Sequence, residues 1–127
     1  MTEIPRAFRI WFYAAAIYNA AWALAVCAFP SWCIDVLGIR GLVSQPFLQV
    51  LGMMVGTFAY GYWLLAREPK RYSGLIWIAL MGKVLGPIGF VVYAIRGELP
   101  WGFGATIVTN DLIWLPAFAT FALRYAR

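Results

Sequence analysis

Long apolar stretches alternate with short polar, glycine- and proline-containing segments along the whole chain. Four stretches stand out: Ile10–Phe29, Phe47–Ala66, Gly74–Ile95 and Gly104–Leu123. Since a helix needs roughly 20 apolar residues to cross a bilayer, each stretch predicts one transmembrane helix. The pattern therefore predicts an all-α integral membrane protein. We expect an antiparallel four-helix transmembrane bundle that forms a single domain over residues 1–127.

Composition and charge extend this prediction to the environment of the protein. Hydrophobic residues make up 64% of the chain and charged residues 12%, which is far from the average of soluble domains. By the positive-inside rule, the side with more Lys and Arg faces the cytoplasm, so both termini should be cytoplasmic. That side carries seven, in the N-terminal segment, the second link and the C-terminal tail, against Arg40 and Arg96 opposite: Arg6, Arg9, Arg67, Lys70, Arg71, Arg124 and Arg127.

The expected location is the cell inner membrane of a bacterium, as a multi-pass protein, although the physics leaves an organelle membrane open. Membrane lipids are the expected partners of the basic residues, which are too dispersed to form a nucleic-acid-binding stripe. In the first link, Ser31–Gly38 predicts a short helix on the membrane surface, with a serine at its start and a glycine at its end.

Polar residues at membrane depth are the main candidates for function. Lys83 and Asp111 are opposite charges in different apolar spans, and either alone in lipid would cost roughly 2.5–3.5 kcal/mol on insertion scales. We therefore expect them to face inward and to meet. The candidate ligand-binding residues are these two charges, the amides of the spans and three deep aromatic side chains: Asn19, Gln49, Lys83, Asn110, Asp111, Tyr18, Tyr60 and Trp114.

Two interpretations of the charged pair remain open. A Lys83–Asp111 contact can simply fix the register of the bundle, since polar contacts in membranes contribute little each. Alternatively, the pair binds a ligand or exchanges protons, which we favour because two charges and two carboxamides exceed what packing requires. Pro87 and Pro116 should each kink a helix close to one of the charges and thereby open a polar cavity.

Small residues indicate how the spans pack. Gly52 and Gly56 form a Gly-x-x-x-Gly pair in the second span, and Gly82 and Gly86 form another in the third. Such pairs allow close approach of two helices. Packing within the chain is the simpler interpretation, and a homodimer or a larger membrane complex is the alternative.

The chain contains no histidine and only two cysteines, Cys27 and Cys33. This excludes His-ligated haem or chlorophyll, a carboxylate–histidine di-iron centre and a Ser-His-Asp triad. Two cysteines without histidine also make a poor metal site, so no metal is expected. Whether the two cysteines form a disulfide is left open by their spacing. No cofactor should be covalently bound, and the candidate bound molecules are a quinone or a lipid.

Several segments resemble a known group of proteins. These are "QVLGMMVGTFAYGYWLLAREPKR" at Gln49–Arg71, "GKVLGPIGF" at Gly82–Phe90, "GELP" at Gly97–Pro100 and "NDLIWLPAF" at Asn110–Phe118. In these segments the chain is similar to the small four-span bacterial membrane proteins called DoxX-like. Because members of that group are associated with membrane oxidoreductase systems, the resemblance implies an accessory or quinone-proximal role. It implies no catalytic residues.

Three function classes follow for a bundle with this polar interior. The first is a non-catalytic protein that binds a small amphipathic ligand, a quinone or a lipid, or serves as an accessory subunit of a membrane oxidoreductase complex. The second is a proton-coupled transporter or ion channel that uses the Lys83–Asp111 pair. The third is an enzyme acting on a lipid-like substrate, which is the weakest because one aspartate and one lysine come without an identifiable nucleophile.

Overall fold

The computed structural model describes residues 3–127, and all of the regular structure in this range is helical. The long helices are α1 (Arg6–Ala28), α3 (Gln45–Arg67) and α4 (Leu75–Ile95), with the short α2 (Pro30–Leu37) after α1. A fourth long segment, Trp101–Tyr125, contains α5 (Gly104–Ile107) and α6 (Leu115–Tyr125). By length and apolar composition, α1, α3, α4 and this segment are each able to cross a membrane. The predicted all-α fold, with four helical segments long and apolar enough to span a membrane, is thus confirmed.

The first link contains the short helix that its sequence predicts. Pro30 occupies the start of α2, where its missing N–H costs no hydrogen bond. Gly38 ends the helix in the left-handed region with φ of 70°, a conformation that side chains disfavour. Cys33 and Ile34 turn inward and pack with Val26 of α1. The helix therefore covers one end of the bundle.

Helices α1 and α3 form the closest helix pair. A Cβ atom at Gly52 would lie only 3.0 Å from Cγ1 of Val26, and one at Gly56 would lie 3.5 Å from Cβ of Ala23. At the same end, the Gln49 side-chain amide donates to the Cys27 carbonyl at 3.0 Å. The Gly52–Gly56 pair thus packs within the chain, which was the simpler of the two interpretations.

At the opposite end of the bundle, the first turns of α1 lie beside the end of α6. Nε of Arg9 donates to the carbonyl of Ala66 at 2.7 Å and satisfies a terminal acceptor of α3. The Phe8 ring packs against Tyr125, with centroids 5.6 Å apart, and the Trp77 indole donates to the Ala126 carbonyl at 2.7 Å. The basic residues in the first turns of α1, between α3 and α4 and at the end of α6 consequently lie at one end of the bundle.

The fourth long segment is the irregular one. A π-helical turn, Val108–Leu112, follows α5, and the helix is interrupted at Ile113–Trp114 before Pro116 enters the first turn of α6. Helix α4, in contrast, continues through Pro87 without a break. The main backbone irregularity beside the polar residues is therefore in the segment that carries Asp111.

Much of the outer surface is apolar. Side chains such as Ile17, Leu24, Met81, Leu85 and Ile95 are between 62% and 71% exposed on the isolated chain. In water such a surface would be an aggregation hazard, whereas hydrocarbon solvates it at no cost. The spans thus turn an apolar face outward and keep their polar side chains toward one another.

The α1–α3 contact yields a stability prediction. Gly52→Leu should lower the free energy of unfolding by about 1–3 kcal/mol, because the new side chain must displace Val26 and Cys27. Gly61→Leu is the matched control on α3, since a Cβ atom there meets nothing within 4 Å. Thermal unfolding of both variants in mild detergent measures the difference. Equal melting temperatures would contradict the close α1–α3 contact.

Candidate functional site

Lys83 is the polar centre of the bundle. Its side chain is only 5% exposed, although it lies in the middle of α4. The ammonium Nζ donates to the backbone carbonyl of Asn110 at 2.6 Å. It also lies 5.5 Å from the ring centroid of Tyr62 and 5.4 Å from that of Phe118, within the range of cation–π attraction. One carbonyl and two aromatic faces therefore stabilise the buried charge.

The π-helical turn explains why the Asn110 carbonyl can accept this bond. In a regular α-helix that carbonyl would accept from the amide of Trp114. Here the Trp114 amide donates to the Asp111 carbonyl instead, at 3.2 Å, while the Ile113 amide donates to Val108 across the wider turn. The irregular segment thus supplies a backbone acceptor for the buried ammonium in the middle of the bundle.

Asp111 does not form the expected ion pair with Lys83. The ion pairs of residues 3–127 lie at the surface and join Arg40 to Asp35, Arg71 to Glu68 and Arg96 to Glu98. The carboxylate of Asp111 instead lies against Gly86, in the space that a side chain at this position would occupy. The expectation that the two charges meet is therefore wrong in its geometry, because the Asn110 carbonyl occupies the position beside the ammonium.

The two charges nevertheless face one cavity. This cavity has a volume of about 190 Å³ and lies between α1, α3, α4 and the π-helical turn. Asn19 lines it from α1, where its side chain is buried and its amide donates weakly to the Val55 carbonyl at 3.5 Å. The structure thus brings together four of the predicted site residues: Asn19, Lys83, Asn110 and Asp111.

An apolar groove of similar size, about 190 Å³, continues from the cavity between α3 and α4. Phe58, Tyr62 and Ala79 line both spaces, so the groove and the cavity adjoin. Beyond these shared residues the groove follows Leu65 on α3 and Leu75 on α4. A polar pocket with an apolar extension is the arrangement that an amphipathic molecule requires.

The other predicted site residues lie elsewhere. Gln49 joins α3 to Cys27 at the far end of α1. The Tyr18 hydroxyl donates to Oγ1 of Thr109 at 2.8 Å, and the Trp114 indole donates to the Thr109 carbonyl at 2.8 Å, so both aromatic residues brace the irregular segment. Tyr60 is 63% exposed and stacks on Trp63 on the outer face of α3.

Sequence reasoning missed the aromatic residues that surround the ammonium. Val55, Phe58, Tyr62 and Leu65 recur at helical spacing and form the α3 wall of the cavity and groove. This three- and four-residue spacing could have identified the inward face of α3. Nothing local could have identified Phe118, which reaches Lys83 from beyond the interruption at Ile113–Trp114.

Outside the cavity, the structure offers few reactive groups. Both cysteines are free thiols; Cys33 is 7% exposed, and burial raises the pKa of its thiol. Among residues 3–127, no cluster of Cys, Asp and Glu side chains has the arrangement of a metal site.

No protein-family model, curated protein or solved structure matches the chain.

The position of the Asp111 carboxylate can be tested by a double-mutant cycle. Gly86→Ala should destabilise the protein or leave it unchanged, because the gain in helix propensity of about 1 kcal/mol is offset by displacement of the carboxylate. In an Asp111→Ala background the same change should stabilise, since the competing carboxylate is gone. Chemical or thermal unfolding in detergent gives the coupling energy. Additive effects would show that Asp111 does not contact Gly86.

Proposed function

We propose that this protein is a multi-pass membrane protein that binds a quinone, with the headgroup in the cavity beside Lys83. The observation that carries the proposal is the buried ammonium itself. The ammonium has three N–H donors, and within residues 3–127 it donates a hydrogen bond to the Asn110 carbonyl. A quinone carbonyl is an acceptor of the right kind for a second donor, and its flat ring suits the aromatic walls formed by Phe58 and Tyr62.

Depth in the membrane favours a neutral headgroup over a phospholipid. Lys83 lies eight residues from the start of α4 and twelve from its end, which corresponds to about 12 Å and about 18 Å along the helix. A phosphate at this depth would be an additional charge far from water, and such charges are costly in hydrocarbon. A quinone is soluble in the hydrocarbon region and carries its polar oxygen atoms on a neutral ring.

The balance of charges in the cavity supports the same choice. Lys83 and Asp111 face it with opposite formal charges, so an anionic or cationic headgroup would leave one of them repelled. A quinone carbonyl can accept from Lys83, and a quinol hydroxyl can donate to the carboxylate of Asp111. The side chains of Asn19 and Asn110 add donors and acceptors for ring substituents.

A role as accessory subunit of a membrane oxidoreductase complex accords with this binding site. The chain offers no ligand set of its own for a redox metal among residues 3–127, so electrons would reach a bound quinone from a partner. The resemblance to DoxX-like proteins, which are associated with membrane oxidoreductase systems, supports the same role.

Transport is the second candidate, and it rests on the half-buried carboxylate of Asp111. Asn19, Lys83 and Asp111 lie at a common mid-span depth, however, and the adjoining groove opens sideways between α3 and α4. Binding therefore accounts for more of the geometry than conduction does.

Quinone binding should raise thermal stability. A short-chain ubiquinone at a concentration 100 times its dissociation constant should stabilise the detergent-solubilised protein by about 2.7 kcal/mol, and phosphatidylglycerol or phosphatidylethanolamine should not. Lys83→Met should abolish most of the shift by removing the donor. Gly82→Leu should abolish it by filling the cavity, since a Cβ atom at Gly82 points into open space.

The matched control is Gly89→Leu, two turns further along α4. A Cβ atom at Gly89 also meets nothing within 4 Å, and this residue lines neither the cavity nor the groove. It should keep the full shift. Stabilisation by the phospholipids but not by the quinone would show that the ligand is a lipid instead of a quinone. Proton flux in proteoliposomes that is lost in Asp111→Asn, without any quinone-dependent shift, would favour transport.

We further propose an antiparallel arrangement of the four spans in a bacterial inner membrane, with both termini cytoplasmic. The support is that seven basic residues belong to segments at one end of the bundle and two to the other. To test this orientation, each variant carries a single cysteine at an exposed position, in a background that lacks Cys27 and Cys33. A membrane-impermeant maleimide should label Glu98→Cys on intact cells, and should label Lys70→Cys only after lysis. The reverse pattern would invert the orientation.

A further inference from the structure

The groove between α3 and α4 adjoins the cavity, and its shape and chemistry narrow the class of ligand further. We propose that it holds the first isoprenoid units of a quinone tail, and that the tail leaves the cavity toward the basic end of the bundle. This inference rests on the proposed function, because it assumes that a headgroup occupies the cavity. It specifies the direction in which the tail leaves the cavity, the membrane leaflet with which the ligand exchanges, and the requirement that the ligand has a tail.

The size of the cavity is the first argument. At about 190 Å³ it is smaller than the 300–1,000 Å³ pockets that enclose whole drug-sized ligands. A headgroup can enter it, but an attached tail has to lie outside. Since Phe58, Tyr62 and Ala79 line both spaces, the adjoining groove is the continuation that the structure offers.

The chemistry of the groove is the second argument. Its walls come from Phe58, Leu65, Leu75 and Ile78 together with the open backbone at Gly61. A branched, flexible hydrocarbon gains dispersion contacts in such a groove without losing any hydrogen bond. From Ala79 to Leu75 the groove follows α4 over about 6 Å, so it receives the start of a tail and leaves the remainder to the lipid.

The direction of the tail follows from the position of Asp111, whose carboxylate closes the side of the cavity away from the groove. One turn from Lys83 toward the far end of α4, the carboxylate of Asp111 fills the space above Gly86. A hydrocarbon chain leaving in that direction would have to pass a charged group. In the groove direction it passes Ala79 and Leu75 and approaches the turn that carries Lys70 and Arg71. The quinone therefore exchanges with the leaflet at the basic end.

The experiment compares two ligands with the same headgroup, a dimethoxy-methyl-benzoquinone without a tail and the same ring with a long isoprenoid tail. Both are titrated over the same range of mole fractions in the detergent micelles. For the wild type, both should raise the melting temperature, and the tailed quinone should do so at a lower concentration. Gly61→Leu should abolish this tail-dependent gain and keep the shift produced by the headgroup alone.

Gly82→Leu, which fills the cavity, should lose both shifts, and Gly89→Leu should lose neither. Ile78→Trp narrows the groove from the α4 side and should reproduce the effect of Gly61→Leu if that variant folds poorly. A tail-dependent gain that survives both groove variants would overturn the placement of the tail while headgroup binding stands. The absence of any shift in the wild type with either quinone would instead overturn the proposed function itself.

Discussion

The hydrogen bond from the Lys83 ammonium to the Asn110 carbonyl is the interaction on which the centre of this protein depends. A charge buried away from bulk water is costly, and a hydrogen-bond acceptor supplied by the protein lowers that cost. A regular helix has no spare carbonyl in its middle, because each one accepts from the amide four residues later. The wider turn at Val108–Leu112 changes this pairing and leaves the Asn110 carbonyl available to α4.

The irregular segment is stabilised by its neighbours. The Tyr18 hydroxyl and the Trp114 indole both bind Thr109, one through its side chain and one through its carbonyl. Pro116 lies in the first turn of α6, where its missing donor costs nothing. Phe118 then reaches back to the ammonium from that helix. The same backbone irregularity therefore places an acceptor, an aromatic face and a carboxylate around one cavity.

Close packing on one side of the bundle is accompanied by open space on the other. Helix α3 lies against α1 through Gly52 and Gly56, where backbones approach closely. Toward α4, α3 presents large side chains, and the cavity and groove lie between these two helices although they are neighbours in sequence. A site that opens sideways to lipid suits a ligand that diffuses within the membrane, which agrees with the proposed quinone.

The amino-acid pattern by itself determined the all-helical class, the four segments long and apolar enough to span a membrane and the set of polar residues near their middles, because hydrophobic length and the cost of intramembrane charge are local properties. It also singled out Asn19, Lys83, Asn110 and Asp111, which line the cavity together. Only the tertiary structure decided how the charges are partnered. The competition between a carboxylate and a backbone carbonyl for one ammonium depends on the π-helical turn, and the positions of Tyr62, Gln49 and Tyr60 depend on helix rotation, since facing direction is set by packing between helices and not by depth along them.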